Sequence, residues 1–105
     1  MIAVSKSDWK LFREKLPVWQ ENYMERLIKE YIILLSAPGN ASDHFWDLEK
    51  RIKEDRRHPG VQLAIEKSET VWNIADLIRM KVITLDDLSG FSEELINEVR
   101  LMVAR

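Results

Sequence analysis

The chain has 105 residues, of which 46% are hydrophobic and 32% are charged, so its length fits one domain with one core and its composition excludes a disordered chain. Sixteen basic and eighteen acidic residues give a formal net charge of -2, which provides no overall attraction to nucleic acid or to an anionic membrane. The lack of cysteine excludes disulfides and thiolate metal sites and permits a reducing compartment. We therefore predict a single domain over residues 1–105.

No segment of the sequence is typical of a secreted or membrane-spanning protein. The apolar residues 1–4 are followed at once by polar residues and are too few for a signal-peptide core. The longest apolar run, residues 31–35, is a fraction of the roughly 20 residues that a membrane-spanning helix requires. We therefore predict a soluble, cytoplasmic protein that does not enter a membrane.

The first predicted helix begins near Ser5 or Ser7, either of which can cap it. We expect it to end at Leu16, because Pro17 disfavours helical geometry in the residue before it. A single bent helix that runs through Pro17 is the alternative. The residues that share its apolar face are Trp9, Phe12 and Leu16.

The second predicted helix, about residues 18–36, carries a broad apolar arc. Its apolar residues at helical spacing are Tyr23, Met24, Leu27, Ile28, Tyr31, Leu34 and Leu35. On its charged side, Glu25 and Lys29 lie four positions apart with opposite sign, as do Arg26 and Glu30. We therefore place residues 23–35 at the centre of the bundle.

The third predicted helix, about residues 43–57 with Ser42 as its N-cap, is mostly charged. Its narrow apolar stripe consists of Phe45, Leu48 and Ile52. Its oppositely charged residues four positions apart include Glu49 with Lys53 and Arg51 with Asp55. A helix of this kind belongs on the outside of a bundle, and Pro59 with Gly60 ends it.

The rest of the chain predicts further helices. Residues 61–65 fit a short strand or a helix, and we predict a helix because no partner strand is present. Another helix begins near Ser68, Thr84 and Asp87 cap a short one, and Ser92 caps the last. The last two long helices have apolar faces formed by Val71, Ile74, Ala75, Ile78 and Val82, and by Phe91, Leu95, Ile96, Val99, Met102 and Val103. The sequence thus predicts an all-α fold, a compact bundle of four to six helices.

Four tryptophans are candidates for the core or for an interface. Trp9 lies on the apolar face of its helix and is expected in the core, whereas the position of Trp19 depends on Pro17. Trp46 and Trp72 lie off the apolar stripes of their helices, so each faces either a neighbouring helix or a partner. These two are the candidate partner-binding residues.

Five basic residues of the third helix suggest nucleic-acid binding as an alternative function. They are Lys50, Arg51, Lys53, Arg56 and Arg57. Acidic residues interleave with them, which is typical of a solvated helix face and not of a phosphate-binding track. A helix-turn-helix is also disfavoured, because its second helix would present Glu93 and Glu94 to the DNA phosphates.

The sequence contains no motif for catalysis, for a metal or for a cofactor. His44 and Asp47 lie three positions apart, but no HExxH motif or further histidine at matching spacing accompanies them. Asp86 and Asp87 lack a neighbouring phosphate loop or nucleophile motif, and capping explains them. We therefore predict no metal, no cofactor and no enzymatic activity.

Four stretches of the chain look like those of a known family: SDW with Pro17, LSAPGNAS (35–42), HPGV (58–61) and VITLDDL (82–88). In these stretches the chain resembles a family of short proteins of unknown function from anaerobic Gram-positive bacteria, and the resemblance covers most of its length. The motifs are cap and turn residues, which specify a fold and bring no catalytic residue. Family members are sometimes labelled multidrug transporters, a label that disagrees with the missing membrane span.

Together these observations predict a non-enzymatic protein-interaction or regulatory module. Its partner is another protein or a second copy of the chain, bound through Trp46 and Trp72. The sequence does not identify a small-molecule ligand.

Overall fold

A computed structural model describes residues 2–105 of the chain. Four α-helices follow one another: α1 (Lys6–Ser36), α2 (Ala41–Asp55), α3 (Thr70–Arg79) and α4 (Glu93–Val103). Short 3-10 helices, Lys67–Glu69 and Leu85–Leu88, precede α3 and α4. Because residues 2–105 form helices and no strand, the predicted all-α bundle of four to six helices is confirmed.

Pro17 lies inside α1, so the predicted break before it is wrong. Ser5 caps this 31-residue helix by accepting a hydrogen bond from the Asp8 amide at 3.1 Å. Proline in a helix interior costs about 3 kcal/mol, but Phe12 and Trp19 on either side of it are buried in one core. Burying those two side chains contributes roughly as much or more, which favours the continuous helix. Pro17 itself is exposed, so water can reach the carbonyl that its ring leaves without a donor.

The core lies between the first half of α1, α3, the 3-10 helix Leu85–Leu88 and α4, a unit that we call the core bundle. Its most deeply buried side chains include Phe12, Ile74, Leu77, Leu88, Leu95 and Val99. The apolar faces predicted for the last two long helices supply Val71, Ile74, Ala75, Leu95, Val99 and Met102 to this core, so those two faces are confirmed.

Capping residues join the elements of the core bundle. Ser92 caps α4 by accepting a hydrogen bond from the Leu95 amide at 3.2 Å, and Thr84 with Asp87 forms the predicted capping box. The buried Asp8 carboxylate accepts one hydrogen bond from the Ser92 amide at 2.9 Å and another from its hydroxyl at 2.5 Å. The beginning of α1 is thereby fixed to the beginning of α4.

The second half of α1 and the whole of α2 project from the core bundle as a pair of helices, which we call the hairpin (residues 23–55). The molecule is consequently elongated, with extents of 53 × 23 × 21 Å. The turn between the two helices contains Gly39 at φ 149°, a value that favours glycine. Leu27 is the one buried residue of the hairpin.

The prediction that residues 23–35 lie at the centre of the bundle is therefore wrong, whereas the peripheral position of the third predicted helix is confirmed, since α2 has no buried residue. The α1 side chains in the main core end with Trp19. Beyond Trp19, α1 lies beside α2, a largely charged helix that covers only part of the apolar arc of α1. Helical spacing specifies an apolar face but not which neighbour covers it.

Residues 61–65 form no regular element, so the predicted helix there is also wrong. Val61, Leu63 and Ile65 are half-buried and alternate with the exposed Gln62 and Ala64. Alternation is the pattern of an extended chain with one face packed. Leu63 and Ile65 contact the core without a partner strand.

Candidate protein-interaction surface

Seven large apolar side chains of the hairpin are exposed. Five of them, which are 39 to 63% exposed, form the surface that we call the hairpin face. They are Ile28, Ile32 and Leu35 of α1 and Phe45 and Ile52 of α2. The three α1 residues are four and three positions apart, and the two α2 residues are seven apart, so each set shares one side of its helix. The apolar arc of α1 is wider than α2 can cover, so part of it stays open to solvent.

Two open grooves run along the hairpin face. One, of about 210 Å³ between α1 and α2, is lined mainly by the apolar side chains Met24, Leu27, Ile28, Tyr31, Ile52 and Val61, with Asp55 and Arg56 at its edge. The other, of about 300 Å³ along α2, is lined by Phe45, Leu48, Glu49, Ile52, Lys53 and Arg56. Ile52 and Arg56 line both grooves, so the two grooves lie side by side and share a wall that includes a cation.

A charged network holds α1 against α2. The Tyr31 hydroxyl donates a hydrogen bond to Asp55 Oδ2 at 2.5 Å, and Arg51 Nε donates to the same oxygen at 3.0 Å. Arg51 also pairs with Glu30 of α1 at 2.9 Å. Burial and the hydrogen bond to Asp55 raise the pKa of Tyr31 to about 12. The relative positions of the two helices, and hence the shape of the hairpin face, are set before any partner binds.

The base of the hairpin is fixed to the turns that follow α2 and α3. The Tyr23 ring stacks on His58, with ring centroids 4.4 Å apart and an interplanar angle of 7°. His58 Nδ1 accepts a hydrogen bond from the Gly60 amide at 3.0 Å, and burial lowers the pKa of His58, which favours the neutral ring that can accept it. Arg26 donates to the Lys81 carbonyl at 2.6 Å and therefore does not form the predicted pair with Glu30.

The two candidate tryptophans are both exposed, Trp46 by 63% and Trp72 by 45%. The alternative in which a neighbouring helix covers them is therefore wrong. Trp46 contacts Phe45 in a T-shaped arrangement with centroids 5.0 Å apart and so borders the hairpin face. Trp72 lies on α3 in the core bundle. The structure thus does not bring the two together, and Trp46 is the one that belongs to this site.

The α1 residues of the hairpin face belong to the segment that the sequence predicts at the centre of the bundle. The spacing predicts Ile28 and Leu35 at the centre of the bundle and places Phe45 and Ile52 on the narrow stripe of a peripheral helix, and neither predicted apolar face includes Ile32. One indication was available: the apolar arc of the second predicted helix is broad, whereas the stripe of the third, its neighbour in the chain, is narrow.

The basic residues proposed for nucleic-acid binding are partly neutralised. Arg51 contacts two carboxylates, and Lys53 pairs with Glu49 at 2.8 Å as predicted. In the described part of the chain, Lys50, Arg56 and Arg57 have no carboxylate within 4.0 Å. One such cation on α2 and two just beyond its end are a small electrostatic footprint for a phosphate backbone.

The histidines and the acidic pair singled out from the sequence for metal or catalytic chemistry lie in different parts of the molecule. Within residues 2–105, no group of three or more histidine or acidic side chains is close enough to hold a metal ion. His44 lies against Gly39 in the turn of the hairpin, and His58 is stacked on Tyr23. Asp87 accepts a hydrogen bond from the Thr84 amide at 2.7 Å, which is the capping role expected for it.

Among the helices of residues 2–105, none is both long enough and apolar enough to cross a membrane. Comparisons of the chain with protein-family models, with curated proteins and with solved structures find no match. The family resemblance noted from the cap and turn residues stays a prediction.

Proposed function

We propose that this protein is a non-enzymatic protein-interaction or regulatory module of the cytoplasm, and that the hairpin face is its binding element. The observation that supports the proposal is the exposure of five large apolar side chains on two adjacent helices. Soluble monomers rarely expose contiguous apolar patches of more than a few hundred Å², and such patches commonly mark protein-binding sites. The site is therefore suited to an apolar helical surface.

The form of the hairpin supports the same function. Two helices with a groove between them can accept the apolar side of a further helix, whose side chains enter the groove at intervals of three and four residues. The Tyr31, Asp55 and Arg51 contacts hold the groove in place, so little conformational entropy is lost when a partner binds. Trp46 at the border is the type of residue that commonly dominates binding energy.

Affinity capture from the native cytoplasm with matched variants tests this proposal. Ile28→Glu places a carboxylate on the hairpin face. Ile33→Glu makes the same change five positions further on, on the other side of α1, where Ile33 is 71% exposed. We expect partners to bind the wild type and Ile33→Glu alike, to be lost with Ile28→Glu, and to bind more weakly after Trp46→Ala.

Capture of any candidate is quantified for each variant, and a tagged second copy of the chain is included among the candidates. Helical content, measured by circular dichroism, checks that every variant is folded. If no protein, including a second copy, is lost selectively with Ile28→Glu, the hairpin face is not a binding element.

A further inference from the structure

We propose that the hairpin face binds a second copy of this chain, so that two hairpins pack face to face as a four-helix bundle. This inference rests on the proposed function and names the partner of the same surface. Three properties of the hairpin face support this inference: its apolar area, its combination of exposed side chains with grooves, and the charges at its border.

The area of the hairpin face matches one side of a dimer. From their exposed fractions, the five apolar side chains present about 500 Å² of apolar surface. A stable interface buries about 800 Å² per partner, of which roughly 65% is apolar in homodimers. The exposed apolar surface of one copy is thus about what each partner of a homodimer contributes.

The hairpin face carries both the exposed side chains and the grooves that a two-fold interface requires. In such an interface one patch contacts its own copy, so it must contain both halves of every contact. Ile32 and Phe45 are among the most exposed apolar side chains of the hairpin, at 57% and 63%. The two grooves, of about 210 Å³ and 300 Å³, meet at Ile52. Exposed apolar side chains of one copy therefore have grooves on the other to contact.

Two charges of opposite sign border the hairpin face near its base. Glu25 lies one turn before Ile28 on α1, and Arg56 lies one turn after Ile52 at the end of α2. Neither has an opposite charge within 4.0 Å in the chain from residue 2 to residue 105. A two-fold axis that places α1 of one copy over α2 of the other brings each Glu25 toward the partner's Arg56. Such a pair favours this mutual orientation over alternatives that juxtapose like charges.

Sedimentation equilibrium of the full chain over a wide concentration range tests the inference. The wild type is expected to reach twice the 12.4 kDa mass of one chain. Ile28→Glu and Phe45→Glu should each raise the dimer dissociation constant by about 100-fold or more. Both copies of the chain carry the substitution, so a two-fold interface would bury two introduced carboxylates. The control Ile33→Glu should change it by no more than about threefold.

The outcomes separate the possible occupants. A wild type that stays at the mass of one chain, or a dimer that both face variants leave unchanged, overturns the inference. If Ile28→Glu loses helical content, Phe45→Glu decides, because Phe45 is 63% exposed and lies outside the core. A monomeric wild type that still captures another protein in an Ile28-dependent manner refutes the second copy and leaves the proposed function standing. A monomer without such capture refutes both.

Discussion

Replacement of Gly60 by alanine probes how the hairpin is fixed to the rest of the molecule. A Cβ atom at residue 60 would lie 2.3 Å from Cδ2 and 2.6 Å from Cγ of Tyr23, so the ring must move and its stack on His58 must loosen. Overpacking costs about 1–3 kcal/mol and the loss of a ring stack about 0.5–1.5 kcal/mol. Alanine also has less conformational freedom than glycine in the unfolded chain, which stabilises the folded protein by about 0.4–1 kcal/mol. We expect a net loss of about 2 kcal/mol in the free energy of unfolding.

Urea unfolding of a double-mutant cycle with Tyr23→Ala measures this loss. Tyr23→Ala removes the three ring atoms that lie within 3.0 Å of the new Cβ, so Gly60→Ala should be nearly neutral in that background. The urea dependence of the free energy should stay unchanged in all four proteins, which would show that the unfolded states are comparable. An equal cost of Gly60→Ala with and without the Tyr23 ring would refute the steric argument.

Three further substitutions test individual contacts by urea unfolding. Asp8→Ala should lower the free energy of unfolding by about 2 kcal/mol, because both hydrogen bonds from Ser92 are lost; a cost below about 0.5 kcal/mol would contradict their role. Burial holds the pKa of His58 below 6.5. The stabilisation that the neutral His58 ring provides is therefore complete above about pH 6.5 and is lost as the pH falls through the lowered pKa. His58→Phe keeps the ring stack and should make the loss of stability between neutral and acidic pH smaller; an unchanged pH dependence would show that His58 does not contribute. Tyr31→Phe should cost about 1 kcal/mol, since Asp55 loses one donor, and a neutral effect would show that the network does not hold the two helices together.

Much of the core bundle could be predicted from the sequence, because its determinants are local. Spacings of three and four residues identify the buried sides of α3 and α4. Ser5, Thr84 and Ser92 mark helix starts, since their side chains accept hydrogen bonds from amides that have no partner within the helix. These requirements act within one turn of helix and do not depend on the remainder of the fold.

The errors arise where a distant contact outweighs a local preference. The predicted break at Pro17 is wrong because burial of Phe12 and Trp19 in one core offsets the cost of an interior proline. The predicted helix over residues 61–65 is wrong because an extended segment can pack one side on a core without any partner strand.

The candidate site was only partly visible in the sequence for a related reason. The position of Trp46 off its stripe indicated a second surface, and that side chain is exposed. Ile28 and Leu35, however, show the same spacing as core residues. Whether such a stripe is covered depends on the neighbouring helix, and the spacing carries no information about that neighbour.

Hydrogen–deuterium exchange, measured with and without bound partner, tests most directly whether the hairpin is the binding element and the core bundle is not. We predict slow exchange in α3 and α4 under all conditions, because these helices form the core. Exchange in residues 28–52 should be faster in the free chain and should slow markedly when a second copy or another partner binds. Slowing that is confined to α3 and α4, or hairpin exchange that stays the same after a partner binds, would contradict this division of the molecule.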